Sequence, residues 1–149
     1  MKQYKLVIVG DGGVGKTSYV KRLLDNTFVS NYIPTLGVDV VPYIINVNDT
    51  PVKFNIWDTA GQEKFIGLKD GYLIGADCAI VMVRDRLASF ETHIETVRRM
   101  CGDIPVIIVI NKKRKFTYLP DDIPDNVIMC SAKHNLYIKD PLYKLVDML

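Results

Sequence analysis

The run Gly10-Asp11-Gly12-Gly13-Val14-Gly15-Lys16-Thr17 limits what this chain can fold into more than any other stretch. It fits G-x-x-x-x-G-K-[ST], a pattern whose chemistry needs a strand before it and a helix after it. Tyr4 to Val9 is short and apolar, as a buried strand is, and Thr17 to Asp25 places Tyr19, Val20, Leu23 and Leu24 at helical spacing. Glycines let backbone N–H groups turn inward around phosphate oxygens. The helix start adds unpaired N–H groups and the positive end of a dipole. Lys16 can then reach outer phosphates and the Thr17 hydroxyl can ligate Mg²⁺. A glycine-rich turn with no ligand has no use for the lysine and threonine in that register.

The remaining segments alternate. Asn26 to Gly37 reads as a loop, Val38 to Val47 as an edge strand that tolerates Pro42, and Val52 to Trp57 as the returning strand of a hairpin turned by Asn48-Asp49-Thr50. Asp77 to Val83 and Pro105 to Ile110 read as buried strands. Ser89 to Met100 carries Phe90, Ile94, Val97 and Met100 or Cys101 at helical spacing and is stopped by Gly102. Val127 to Cys130 reads as a last short strand. Asp140-Pro141 caps a closing helix over Pro141 to Leu149, with Leu142, Leu145, Val146 and Leu149 on its buried face. Glu63 to Ile74 is weakly amphipathic and interrupted by Gly67 and Gly71. The alternation predicts an α/β three-layer sandwich with a mostly parallel six-stranded sheet and one antiparallel edge hairpin. Ligands then sit at the carboxyl ends of the strands.

A length of 149 residues predicts one domain, 1–149. The net charge of +2 is too small to argue for a nucleic-acid partner. The three cysteines, Cys78, Cys101 and Cys130, have no metal spacing and lie in or beside apolar segments, so buried reduced thiols are expected. No run reaches membrane-spanning length, no signal-peptide pattern opens the sequence and no C-a-a-X box closes it, so no membrane anchor is expected. Asp58 ends an apolar strand, where a carboxylate beside Mg²⁺ belongs. His93, alone on its helix, is expected on the surface without a role.

Together these motifs resemble the Ras superfamily of small GTPases over essentially the whole chain. Gly10 to Thr17 matches the phosphate loop, Tyr32 to Val40 the first switch, and Trp57-Asp58-Thr59-Ala60-Gly61-Gln62-Glu63 the start of the second. Asn111-Lys112 and Ser131-Ala132-Lys133 match the base-contacting motifs. Thr35-Leu36-Gly37-Val38, Val52 to Trp57 and Glu63 to Tyr72 are worded most like the Ran branch, the nuclear-transport GTPases. The resemblance implies a nucleotide switch that binds GTP or GDP with Mg²⁺. Thr35 would join Thr17 on the ion and Asp58 would hold it through water. The Gly61 N–H would touch the γ-phosphate, and Gln62 would orient the attacking water, with Lys16 on the phosphates. Asp11, Gly12, Gly13, Val14, Gly15 and Ser18 would surround the phosphates. Phe28, Tyr32, Asn111, Lys112, Arg114, Ser131, Ala132 and Lys133 would complete the nucleotide contacts, Phe28 by packing on the base. Implied partners are a GTPase-activating protein, an exchange factor and importin- or exportin-type receptors, with a monomer distributed between nucleus and cytoplasm.

The sequence departs from that family at the base. N-K-x-D reads Asn111-Lys112-Lys113-Arg114, so the carboxylate that accepts two hydrogen bonds from guanine is absent. Such a charge-assisted bond is worth roughly 1.5–3 kcal/mol. Weakened guanine affinity and relaxed base choice follow, unless Asp121 or Asp122 supplies the acceptor. The segment from Asn111 to Ser131 is too short for the helix the family carries before the last strand, leaving the sheet beneath it to be covered by a loop or exposed. The given sequence stops with this helix, so the contact that the Ran branch makes through an acidic tail beyond it is expected to be lacking. Lys112 to Lys115 reads as a solvated charge run, or as phosphate-side charge near the nucleotide, rather than a localisation signal. No arginine in these motifs is placed to serve as a finger in cis, so a large rate gain is expected from an outside partner. A second reading is a nucleotide-binding Ran mimic that does not cycle.

Overall fold

The computed structural model describes residues 1–24, 31–33, 38–59, 70–84, 90–116 and 123–149. In chain order these form β1 (Lys2–Val9), α1 (Lys16–Leu24), β2 (Asn31–Ile33), β3 (Val38–Val47) and β4 (Thr50–Asp58). A 3-10 turn (Asp70–Leu73), β5 (Cys78–Arg84), α2 (Phe90–Cys101), β6 (Val106–Asn111), β7 (Val127–Cys130) and α3 (Asp140–Met148) follow.

The strands make a seven-stranded sheet in the order β2-β3-β4-β1-β5-β6-β7. β1 runs parallel to β4 and β5, β5 to β6 and β6 to β7, whereas β3 is antiparallel to β4. The expected α/β architecture is present, with one strand more than expected. Asn31–Ile33, read from sequence as loop, pairs antiparallel with Val38–Val40. Three residues are too few to show an apolar alternation, so the pairing was invisible in the sequence. β2 covers only the start of β3, which leaves Pro42 beyond the β2 pairing, where a missing N–H costs nothing. Asn48 and Asp49 both take positive φ, 50° and 62°, the geometry that turns a two-residue hairpin.

Burial alternates with period two along β1. Leu6 and Ile8 join Tyr19, Leu23, Phe54, Ile56, Ile80, Ile107, Leu142 and Leu145 on the face covered by α1 and α3. Val7 and Val9 join Leu73, Ala79, Val81 and Val97 on the face covered by α2. A strand buried on both faces reads as an unbroken apolar run, which is why β1 and β5 were clear in the sequence. At the far side of the sheet Val83, Ile108, Ile110 and Val127 are buried beneath Phe90, Ile94, Ile123 and Met129. That region is therefore covered, although 112–116 and 123–126 carry no helix. Residues 117–122, with Asp121 and Asp122, lie outside the described residues.

Three further expectations are corrected. The closing helix starts at Asp140, one residue early: Lys139 occupies the cap position without a side-chain cap, and its carbonyl accepts from Leu142 N and Tyr143 N. Leu149 is exposed past the helix end, since the buried face ends with Leu145 and half-buried Val146. Cys101 is half-buried, whereas Cys78 and Cys130 are fully buried. Burial pushes the Cys130 thiol up to about 12 and raises Cys78 as well.

Tyr19 lies wholly inside, its hydroxyl donating to the Ile138 carbonyl at 2.6 Å. This bond ties α1 to the turn before α3. Tyr19→Phe leaves that carbonyl unpaired, so an equilibrium urea titration should show a loss of about 1–3 kcal/mol. Because Cys130 ionises later folded than unfolded, its contribution is complete below the ordinary thiol value of 9.0 and fades as pH rises toward about 12. The urea midpoint should fall over that range, and Cys130→Ala should make the fall shallower.

Candidate functional site

The carboxyl ends of β1, β4, β5, β6 and β7 all lie on the same side of the sheet, because these strands run parallel to one another. The phosphate loop leaves β1, Asp58 closes β4, Arg84 closes β5, Asn111 closes β6, and Ser131-Ala132-Lys133 follows β7. This is the end of an open α/β sheet where ligands bind.

Lys16 begins α1 and is only 4% exposed. Its ammonium donates to the Gly10 carbonyl at 2.5 Å and the Asp11 carbonyl at 3.2 Å. Both acceptors are neutral, so an anion in the loop would offer the ammonium a stronger one. Gly10 passes so close to β5 that an added Cβ would lie 2.4 Å from the Met82 carbonyl oxygen. One residue on, the Thr17 hydroxyl donates to Asp58 Oδ2 at 2.9 Å, joining α1 to the end of β4. Thr59, buried beside it, donates to the Ile8 carbonyl and holds the β4 end against β1.

Thr17 and Asp58 thus bring two hard oxygen donors together, a pair that suits Mg²⁺. Among the described residues no group of three or more His, Cys, Asp or Glu could hold a metal. An ion here would therefore take most of its shell from phosphate and water, as Mg²⁺ commonly does.

Asn111 organises the other half. Buried at the end of β6, it donates from Nδ2 to the Val14 carbonyl at 2.9 Å and accepts at Oδ1 from Ala132 N at 3.1 Å. One amide thereby joins the phosphate loop, β6 and the turn after β7. Gly15, at φ +93°, makes room for it: a Cβ there would meet Asn111 Nδ2 at 2.4 Å. Ser131, expected as a base contact, is fully buried, and its hydroxyl accepts from His134 N. Its job in this structure is to shape the turn. Arg22 of α1 donates to the Ala132 and Lys133 carbonyls and pins the same turn from the other side.

Beside the loop and Asn111 lies a cleft of about 690 Å³, lined by Gly13, Gly15, Ser18, Lys21, Arg22, Arg84, Asn111, Lys112, Lys113, Ala132 and Lys133; Lys16, Thr17 and Asp58 stand outside that lining. Its charged lining is entirely cationic among the described residues. Arg114 is exposed and stands outside that lining. The carboxylate that would read a guanine edge is thus missing from the described wall, while the cationic wall suits phosphate.

His93, expected on the surface without a role, belongs here, as does Arg84, which the sequence reading passed over. His93 Nε2 lies 2.8 Å from Asp11 Oδ1, linking α2 to the phosphate loop. Arg84 donates from Nη1 to the Gly13 carbonyl. Arg84 carried a signal, since it is the first charged residue after an apolar strand whose carboxyl end faces the site. His93 carried none, because the pairing joins residues far apart in sequence. Phe28, Thr35, Gly61 and Gln62 lie outside the described residues, as does the side chain of Tyr32; Gly12 is exposed in the loop.

Comparison with known families gives a match to the model described as Roc, Ras of Complex, Roc domain of DAPkinase, over residues 5–114. The matched span runs from β1 to the Asn111–Arg114 motif and covers nearly three quarters of the chain.

Asn111 should matter before any ligand binds. Asn111→Ala leaves the Val14 carbonyl and the Ala132 N–H unpaired, so it should lower ligand-free stability by about 2–5 kcal/mol in a urea titration. Gly15→Ala should disrupt the same bond by displacement, and amide exchange at Ala132 should quicken in both variants.

Proposed function

We start from a chain that belongs to the Roc family of Ras-like GTPases, and we propose that it works as a Mg²⁺-dependent nucleotide switch with slow hydrolysis of its own. GTP binding and GTPase chemistry are the common property of that family. The observation that carries the proposal is the hydroxyl–carboxylate pair of Thr17 and Asp58, 2.9 Å apart beside the buried Lys16. It gathers a phosphate-binding cation and two metal-suited oxygens at the start of one helix.

In this reading Lys16 and the loop N–H groups hold the phosphate chain, and Thr17 and Asp58 hold Mg²⁺. The ion, when bound, neutralises charge on the β- and γ-phosphates. By resemblance, Thr35 and Gly61 sense the γ-phosphate and Gln62 orients water. Loss of that phosphate releases both loops, which is how such a switch changes partners. The Ran-like wording of both switch stretches supports transport receptors as those partners, with an activating protein and an exchange factor, in nucleus and cytoplasm.

Base choice is proposed to be relaxed. Arg114 replaces the family's acceptor and is exposed outside the cleft. The same observation favours the second reading, a nucleotide-binding mimic that does not cycle. Single-turnover release of phosphate from GTP, with and without an activating protein, separates the two: release supports the switch, and none supports the mimic.

Titrating GDP, ADP and XDP against the full chain should give affinities within about tenfold of one another, because the two lost bonds account for at least that much discrimination. A preference for GDP above a hundredfold would contradict relaxed base choice. Removing Mg²⁺ with EDTA should weaken GTP binding, and Thr17→Ala should weaken it similarly and abolish most of the EDTA effect.

A further inference from the structure

Arg84 has no part in the mechanism that family membership implies, yet it reaches the phosphate loop. It ends β5, and its Nη1 donates to the carbonyl of Gly13, at the middle of the loop. The guanidinium lines the same cleft as Gly13, Gly15 and Asn111. Its Nε is shut off from solvent and has no hydrogen-bond partner among the described residues. A buried guanidinium donor without an acceptor is costly, and an arginine's fork is shaped for the paired oxygens of phosphate. A neutral carbonyl takes one of its N–H groups, which leaves the charge itself without a described counter-ion.

We propose that Arg84 is a second cation on the phosphate chain of the bound nucleotide, supplied by the chain itself in addition to Lys16. The inference rests on the reading of this cleft as a nucleotide site. It adds an arginine from outside the motifs to an expectation that considered only arginines within them. The ligand chemistry it predicts is a diphosphate or longer, since one loop cation already serves the first contact and a second gains most from extended charge. β5 fixes the guanidinium at the loop, so its charge is in place before a ligand arrives.

The test is calorimetric titration of inorganic pyrophosphate, and separately of GDP, against the full-length wild type, Arg84→Gln and Arg84→Lys. Glutamine can still donate to the Gly13 carbonyl but carries no charge; lysine keeps the charge. Arg84→Gln should weaken pyrophosphate and GDP about tenfold or more, with a ligand-free melting temperature close to wild type. Arg84→Lys should recover most of that affinity. If Arg84→Gln binds both within twofold of wild type, the residue only braces Gly13 and the inference falls while the nucleotide reading stands. If wild type binds neither, both fall.

Discussion

The Asn111 side chain is the contact on which the site's arrangement depends. It is buried, and both its polar ends are used on backbone: the Val14 carbonyl on one side and the Ala132 N–H on the other. A side-chain amide partnered this way cannot shift without leaving a donor or an acceptor unpaired in a dry interior, at a cost of about 1–3 kcal/mol for each. Three segments far apart in sequence are therefore held in one geometry before any ligand enters. Gly15 follows from it, because only a residue without Cβ leaves room for that amide. Part of the cleft's lining follows too, since Gly13 and Gly15 of the loop and Ala132 and Lys133 of the turn after β7 all face it.

Within that frame the two halves of the site differ in chemistry. The phosphate half concentrates charge and directional donors: Lys16 in the loop, Thr17 against Asp58, and Arg84 at Gly13. The other half is built on Asn111 and the Ser131–Lys133 turn, and among the described residues its wall carries no carboxylate that would read a base. Scaffold and specificity are thus separable. Asn111 and Ser131 support the turn by their own hydrogen bonds, so the loss of a carboxylate at position 114 need not disturb the fold around it. On the proposed reading, binding energy comes chiefly from the phosphates.

Much of this was legible from the sequence. The loop, its flanking strand and helix, the hairpin, and Asp58 at the end of its strand all follow from local pattern, because a parallel strand buried on both faces leaves an apolar run and a phosphate loop leaves glycines. Contacts between distant segments leave no such trace. The short β2 pairing, the His93–Asp11 link and the double role of Asn111 each need the sheet order to be known first. Arg84 lies between these cases. Its place at the carboxyl end of β5 could be read, but which loop it meets depends on β5 lying beside β1. Ser131 shows the converse, a motif residue whose described role is to shape a turn.

The central claim is that the phosphate chain, not the base, holds a nucleotide here. It is tested most directly by measuring the affinities of GDP, GMP and guanosine for the same full-length protein under one salt and Mg²⁺ condition. The account predicts a steep fall at each phosphate removed, with at least about a hundredfold between GDP and guanosine. Guanosine binding within a few-fold of GDP would contradict it.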